Sequence, residues 1–137
     1  MKALTLRLGQ FAISALCLTI LFRYALNLCI GIESIVGTVT CSISYCGLIF
    51  FAGWYFGGKE ERESDVHDVG FRYHLTTYVL CIAIGFGAYY IGWHTESIKG
   101  LTITAACWGI GLLIHLIFFL NEQKKTIRGY AREEIFQ

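Results

Sequence analysis

Residues 101–120 read LTITAACWGIGLLIHLIFFL, twenty positions without a charge and without a proline. Twenty apolar residues in a helix rise about 30 Å, the thickness of a bilayer's hydrocarbon core. A membrane-spanning strand would alternate apolar and polar side chains over about ten residues. Leu112–Leu120 does not alternate, so the stretch is a helix. Three similar runs precede it: about 6–23, 34–56 and 75–93. Backbone groups find no water in lipid, so a spanning chain satisfies them within helices or within a closed barrel. The expected fold is all-α: a four-helix transmembrane bundle built of two helical hairpins.

Composition agrees. Of 137 residues, 55% are hydrophobic and 15% charged, too little polar surface to cover a soluble domain of this size. The chain reads as one integral membrane domain, 1–137, whose first partner is the lipid bilayer. Net charge is +1, and no run of Lys and Arg is long enough to track phosphates, so a nucleic-acid partner is not expected. The six cysteines form no CxxC pair and lie mostly inside the spans, where Cys packs as a small apolar residue. Lys2 and Arg7 before the first apolar run resemble a secretory signal, but no small-x-small cleavage site follows. A retained helix is expected, with Arg23 and Tyr24 as its interfacial anchor.

Basic residues are segregated. The N-terminus, the connection 57–72 and the tail 121–137 together hold nine Lys and Arg; Arg23 and Lys99, in the other two connections, are the remaining two. The positive-inside rule puts both termini and the middle connection in the cytoplasm. That connection carries Glu60, Glu61, Glu63, Asp65, Asp68 and His67, and reads as a solvated loop; it lacks the ligand spacing of a calcium loop. The tail, with Ile127, Tyr130 and Ile135 at loosely helical spacing, is expected to extend the fourth helix and then lie on the membrane or the middle loop.

Ionisable groups at membrane depth are the functional candidates. His74 opens the third span and His115 lies deep in the fourth. With the hairpin turn centred near Glu96 and Ser97, antiparallel pairing sets Tyr78 level with His115 and Trp108 level with Gly85. His74, Tyr78 and His115 then form a candidate intramembrane polar site, with Tyr78 and His115 satisfying each other. Gly85, Trp108 and Gly111 are the candidate helix-packing positions: His74, Tyr78, Cys81, Gly85, Ala88 and Gly92 make one stripe, and Thr104, Trp108, Gly111 and His115 its match. The alternatives for the two histidines are axial ligation of a haem b and a proton relay. Otherwise no cofactor or metal is expected. His94 beside Trp93 suits an outer interface. In the first half, Gln10, Ser14 and Cys17 share one face, and Ser34, Thr38, Cys41 and Tyr45 another; these two faces are expected to meet. Glu33 is expected either to pair with Arg23 or to mark a cation entrance.

Phe71, His74, Leu75 and Tyr78, followed by Trp108, Gly109, Gly111, Leu112 and His115, form a recurring pattern. Residues of about 68–128 resemble the bacterial two-transmembrane domain family, a helical hairpin found alone or attached to signalling proteins. Where that family usually has an asparagine soon after the tyrosine, this chain has Ile82. The whole chain resembles uncharacterised four-span membrane proteins of Bacteroidota. The resemblance implies the bacterial cytoplasmic (inner) membrane and brings no chemistry with it. The expected function is therefore non-enzymatic: an assembly, interaction or regulatory module acting on a copy of itself or on a membrane-protein partner. The alternatives are a bis-His haem protein for electron transfer through His74 and His115, and a small channel or carrier.

Overall fold

A computed structural model describes residues 5–63, 69–93 and 97–133, with side chains in the last helix to Asn121. Four helices account for nearly all of it: α1 (Leu6–Gly31), α2 (Ile35–Glu63), α3 (Val69–Tyr90) and α4 (Ile98–Glu133). The shortest, α3, has 22 residues and a rise of about 33 Å, enough to cross the hydrocarbon core. All four are long and apolar enough to span. Their outward faces are apolar too: Leu21, Ile43, Trp54, Ile110 and Phe118 are each more than half exposed. Water would penalise such a surface, whereas lipid does not. The chain is an all-α, four-helix bundle, compatible with a multi-pass membrane protein.

The connections are built from capping chemistry. Thr5 caps α1, its hydroxyl accepting from the Leu8 amide at 3.2 Å. α1 does not stop at Arg23; it runs two further turns and ends in a Schellman motif. There the Ser34 amide reaches Cys29 O and the Glu33 amide reaches Ile30 O, both at 2.9 Å. Glu33 occupies the left-handed position of that motif, with φ 53°. Ser34 immediately caps α2, its Oγ accepting from the Gly37 amide at 3.1 Å. One end of the second hairpin is made the same way. Gly92 (φ 76°) closes α3, with the Trp93 amide on Ala88 O at 2.9 Å, and Ser97 caps α4 through the Gly100 amide at 3.2 Å.

α1, α2 and α3 form the compact part. Leu8, Phe11, Ala15, Thr19 and Leu26 line the buried stripe of α1, and Tyr73, Thr77, Cys81, Gly85 and Ala88 that of α3. Phe11 sits on Tyr73 with ring centroids 4.6 Å apart, and Ile49, Ala52 and Phe56 of α2 close the cluster. Among the described residues, α4 packs along α3 and leaves α1 and α2 to each other. The N-terminal end of α1, the C-terminal end of α2 and the N-terminal end of α3 meet at one end of the bundle, called the charged end below.

Three sequence expectations change. Within 57–72 the described residues are helical: α2 continues to Glu63 and α3 begins at Val69, with Glu60 of the one engaged by Arg72 and Tyr73 of the other. The inward face of α1 carries Thr19; Gln10 and Cys17 are exposed. α4 persists to Glu133 as one helix. His67, Asp65, Asp68, His94, Glu96, Ile135 and the side chains of Ile127 and Tyr130 lie outside the described residues.

Candidate functional site

Three polar clusters punctuate the bundle. At the charged end, Glu60 is 1% exposed. Thr5 Oγ1 donates to its Oε1 at 2.6 Å, Arg72 Nη1 donates to the same oxygen at 3.2 Å, and Tyr73 OH donates to Oε2 at 2.8 Å. Each donor comes from a neighbouring helix or its cap. One turn further out, Arg7 grips Glu63 with two parallel bonds, Nε to Oε2 at 2.9 Å and Nη2 to Oε1 at 2.8 Å. A buried carboxylate is tolerable only when charge and lone pairs are both answered. Here an arginine supplies the charge and two hydroxyls complete the bonding.

Glu60 falls in the stretch whose charge pattern reads as a solvated loop. The sequence nonetheless carries a signal for its burial. Tyr45, Ile49, Ala52 and Phe56 fall on one helical stripe, and the next position on that stripe is Glu60.

Deep in the membrane region the second cluster joins three helices. Tyr45 OH lies 2.9 Å from Thr19 Oγ1 and 2.8 Å from Cys81 Sγ, and the Thr19 hydroxyl also donates to Ala15 O at 2.7 Å. Phe22 stacks on the Tyr45 ring at 4.3 Å. Tyr45 and Cys81 were on the expected stripes; their partner Thr19 was not.

The third cluster holds the two membrane histidines. His74 and His115 meet edge to face, ring centroids 5.4 Å apart. Phe71 stacks parallel on His115 at 6.1 Å and on Phe119 at 6.3 Å. Tyr78 belongs elsewhere: its hydroxyl donates to Ala105 O at 3.2 Å and its ring meets Trp108 edge-on at 5.8 Å. The expected Tyr78–His115 pair is thus replaced by His74–His115, a slip of about one helical turn. The cause is the hairpin. α3 ends at Tyr90 and α4 starts at Ile98, so the connection is centred nearer α3 than Glu96 and Ser97. Axial ligation would require each imidazole to present a nitrogen to an iron held between them, and the touching rings would have to separate for that.

The packing residues also redistribute. Gly85 is buried, but its neighbour is not Trp108. A methyl built on Gly85 would lie 2.6 Å from Arg23 Nη2 and 3.2 Å from Leu101 Cδ2. Arg23 therefore belongs to the α1–α3 contact, not to a short outer connection. Trp108 instead lies across Tyr78. Gly111 meets nothing: no atom lies within 4 Å of the position its methyl would take.

Between α2 and α4 the bundle is open. A cleft of about 1070 Å³ lies there, floored by Tyr73 and Thr77 of α3 and walled by Phe50 and Trp54 of α2 and Trp108 of α4. Its rim at the charged end carries Glu61 and Arg62, and His74 lines it deeper, beside Tyr73. Among the described residues no group of three or more His, Cys, Asp or Glu side chains is gathered as for a metal ion. No family model matches the chain, and neither a curated protein nor a solved structure matches it.

Proposed function

We propose that the protein is a non-enzymatic membrane module that works by lateral assembly, first with a second copy of itself. The observation that supports this is the division of labour on α4. Leu101, Trp108, His115 and Phe119 are committed to α3. Thr104, Cys107 and Gly111 lie along an adjoining flank and remain exposed. Small residues on an unoccupied flank allow a second helix backbone to approach closely, which is how membrane helices gain packing energy without a hydrophobic driving force. The hairpin resemblance of residues 68–128 favours the same reading, and with the basic asymmetry it favours a bacterial cytoplasmic membrane with both termini inside.

Cysteine chemistry tests it directly. All six cysteines are free, so single-cysteine variants can be made without breaking a bridge. A chain retaining Cys107 alone, oxidised in native membranes, should form a disulfide-linked dimer, because a bond requires the two Cα atoms within about 7 Å. Gly111→Leu should suppress that dimer. A Cys107-only chain that stays monomeric, or a dimer indifferent to Gly111→Leu, would remove the reading. The haem alternative has its own readout: a stoichiometric Soret band lost in both His74→Ala and His115→Ala would replace the assembly module with an electron carrier.

A further inference from the structure

The cleft between α2 and α4 has the dimensions and polarity of a lipid site. Along α2 its lining runs from Tyr45 to Arg62. Those 17 steps rise about 26 Å. One leaflet, headgroup included, is about 20–22 Å deep. The lining is graded along that length. Phe50, Trp54 and Trp108 occupy the part within the membrane, while Glu61 and Arg62 stand at the charged end. A ligand matched to such a gradient has one polar end and a long apolar one.

The rim's charges narrow the class. Arg7 is engaged by Glu63 and Arg72 by Glu60, whereas no carboxylate among the described residues lies within ion-pair distance of Arg62. An exposed guanidinium at the headgroup level is suited to a phosphate, which it can grip with two parallel bonds. Glu61, adjacent in sequence on the same rim, would repel a purely anionic headgroup and attract one that also carries a cation.

We propose that the cleft binds a phospholipid with a primary-amine headgroup. The phosphate lies on Arg62, the ammonium on Glu61, and the acyl chains between Trp54 and Trp108. The site is independent of the assembly flank on α4, so either can fail without the other.

Native mass spectrometry of the purified full-length chain, with dioleoyl phosphatidylethanolamine, phosphatidylcholine or phosphatidylglycerol added in equal amounts, tests the assignment. One phosphatidylethanolamine per chain should be retained, with the other two lipids held about tenfold less, the scale of one lost charge-assisted contact. Glu61→Gln should abolish the preference, whereas Arg62→Gln should weaken retention of all three lipids alike. Gly58→Phe should block retention sterically, since Gly58 lines the cleft and a methyl there meets nothing within 4 Å. Gly87→Phe, equally open but outside the cleft lining, should retain the lipid. Arg62 is exposed, and circular dichroism will verify that each variant keeps its helices. Equal retention of all three lipids, or retention that survives Gly58→Phe, would mean annular lipid only and overturn the proposal. So would a second chain crosslinked into the cleft.

Discussion

Glu60 concentrates more of the fold's specificity than any other single side chain. Its two oxygens receive donors from the α1 cap and from α3, while its own backbone belongs to α2. Three helix ends are thereby held at one level. Bilayer-embedded helices can slide along one another with little change in buried area, because lipid tails are as apolar as the side chains they replace. A carboxylate with directional partners penalises such sliding. Removing one member of a buried charged pair costs about 3–5 kcal/mol, since the other is left uncompensated. Glu60→Leu should therefore lower the stability of the detergent-solubilised protein by about that much. Adding Arg72→Leu to it should restore part of the loss, because the stranded guanidinium is then gone. Thermal unfolding followed by circular dichroism gives the comparison. A single-variant loss below about 1 kcal/mol, strictly additive with Arg72→Leu, would reduce Glu60 to an ordinary surface group.

At the scale of elements, the tight α1–α2 turn shows how much of the structure was legible and where legibility stopped. That four helices exist follows from apolar length alone, and Leu101–Leu120 is enough to establish the type. Helix ends are another matter. Arg23 looked like an anchor because a charge interrupts the apolar run, yet it faces Gly85, which has room for a long side chain. A glycine's vacancy is visible only once the neighbouring helix is in place. Register is equally hidden: moving the hairpin centre by two or three residues exchanges Tyr78 for His74 as the partner of His115. The same blindness covers α3, whose stripe through Tyr73, Thr77 and Cys81 serves α1 and α2 while Phe71, His74 and Tyr78 serve α4. Periodicity says that one face is buried, not that two are. The turn also stores a measurable cost. Glu33 at φ 53° holds a left-handed conformation that disfavours side chains by about 1–2 kcal/mol, partly offset because glycine is more disordered when unfolded. Glu33→Gly should stabilise the protein by about 0.5–1 kcal/mol. A lower melting temperature would show that the Glu33 carboxylate makes a contribution exceeding the backbone strain.

On the scale of the whole molecule, the fold gathers the basic residues at one end of the bundle. Because α1 and α2 are antiparallel, Arg7 and Glu63 reach each other, and because α3 returns beside them, Arg72 joins Glu60. His115 and Phe119 of α4 lie against His74 and Phe71 near the start of α3, so the fourth helix also leaves the bundle at this end. Lys124, Lys125, Arg128 and Arg132 follow in sequence. Among the described residues, the charged end therefore collects eight of the eleven Lys and Arg residues of the chain. Ion pairing with Glu60 and Glu63 does not cancel the bias, since acidic residues contribute little to how a span is retained. α4 adds to it: 36 residues rise about 54 Å, well past the hydrocarbon core, and the excess is the basic part. A reporter fused after Gln137 and another inserted near Ser64 should both register cytoplasm. A third, placed in the turn at Ile32–Ser34, should register the opposite compartment. If the first two disagree with each other, the four-span threading fails. If all three are inverted, the threading stands and the charge rule does not govern this chain.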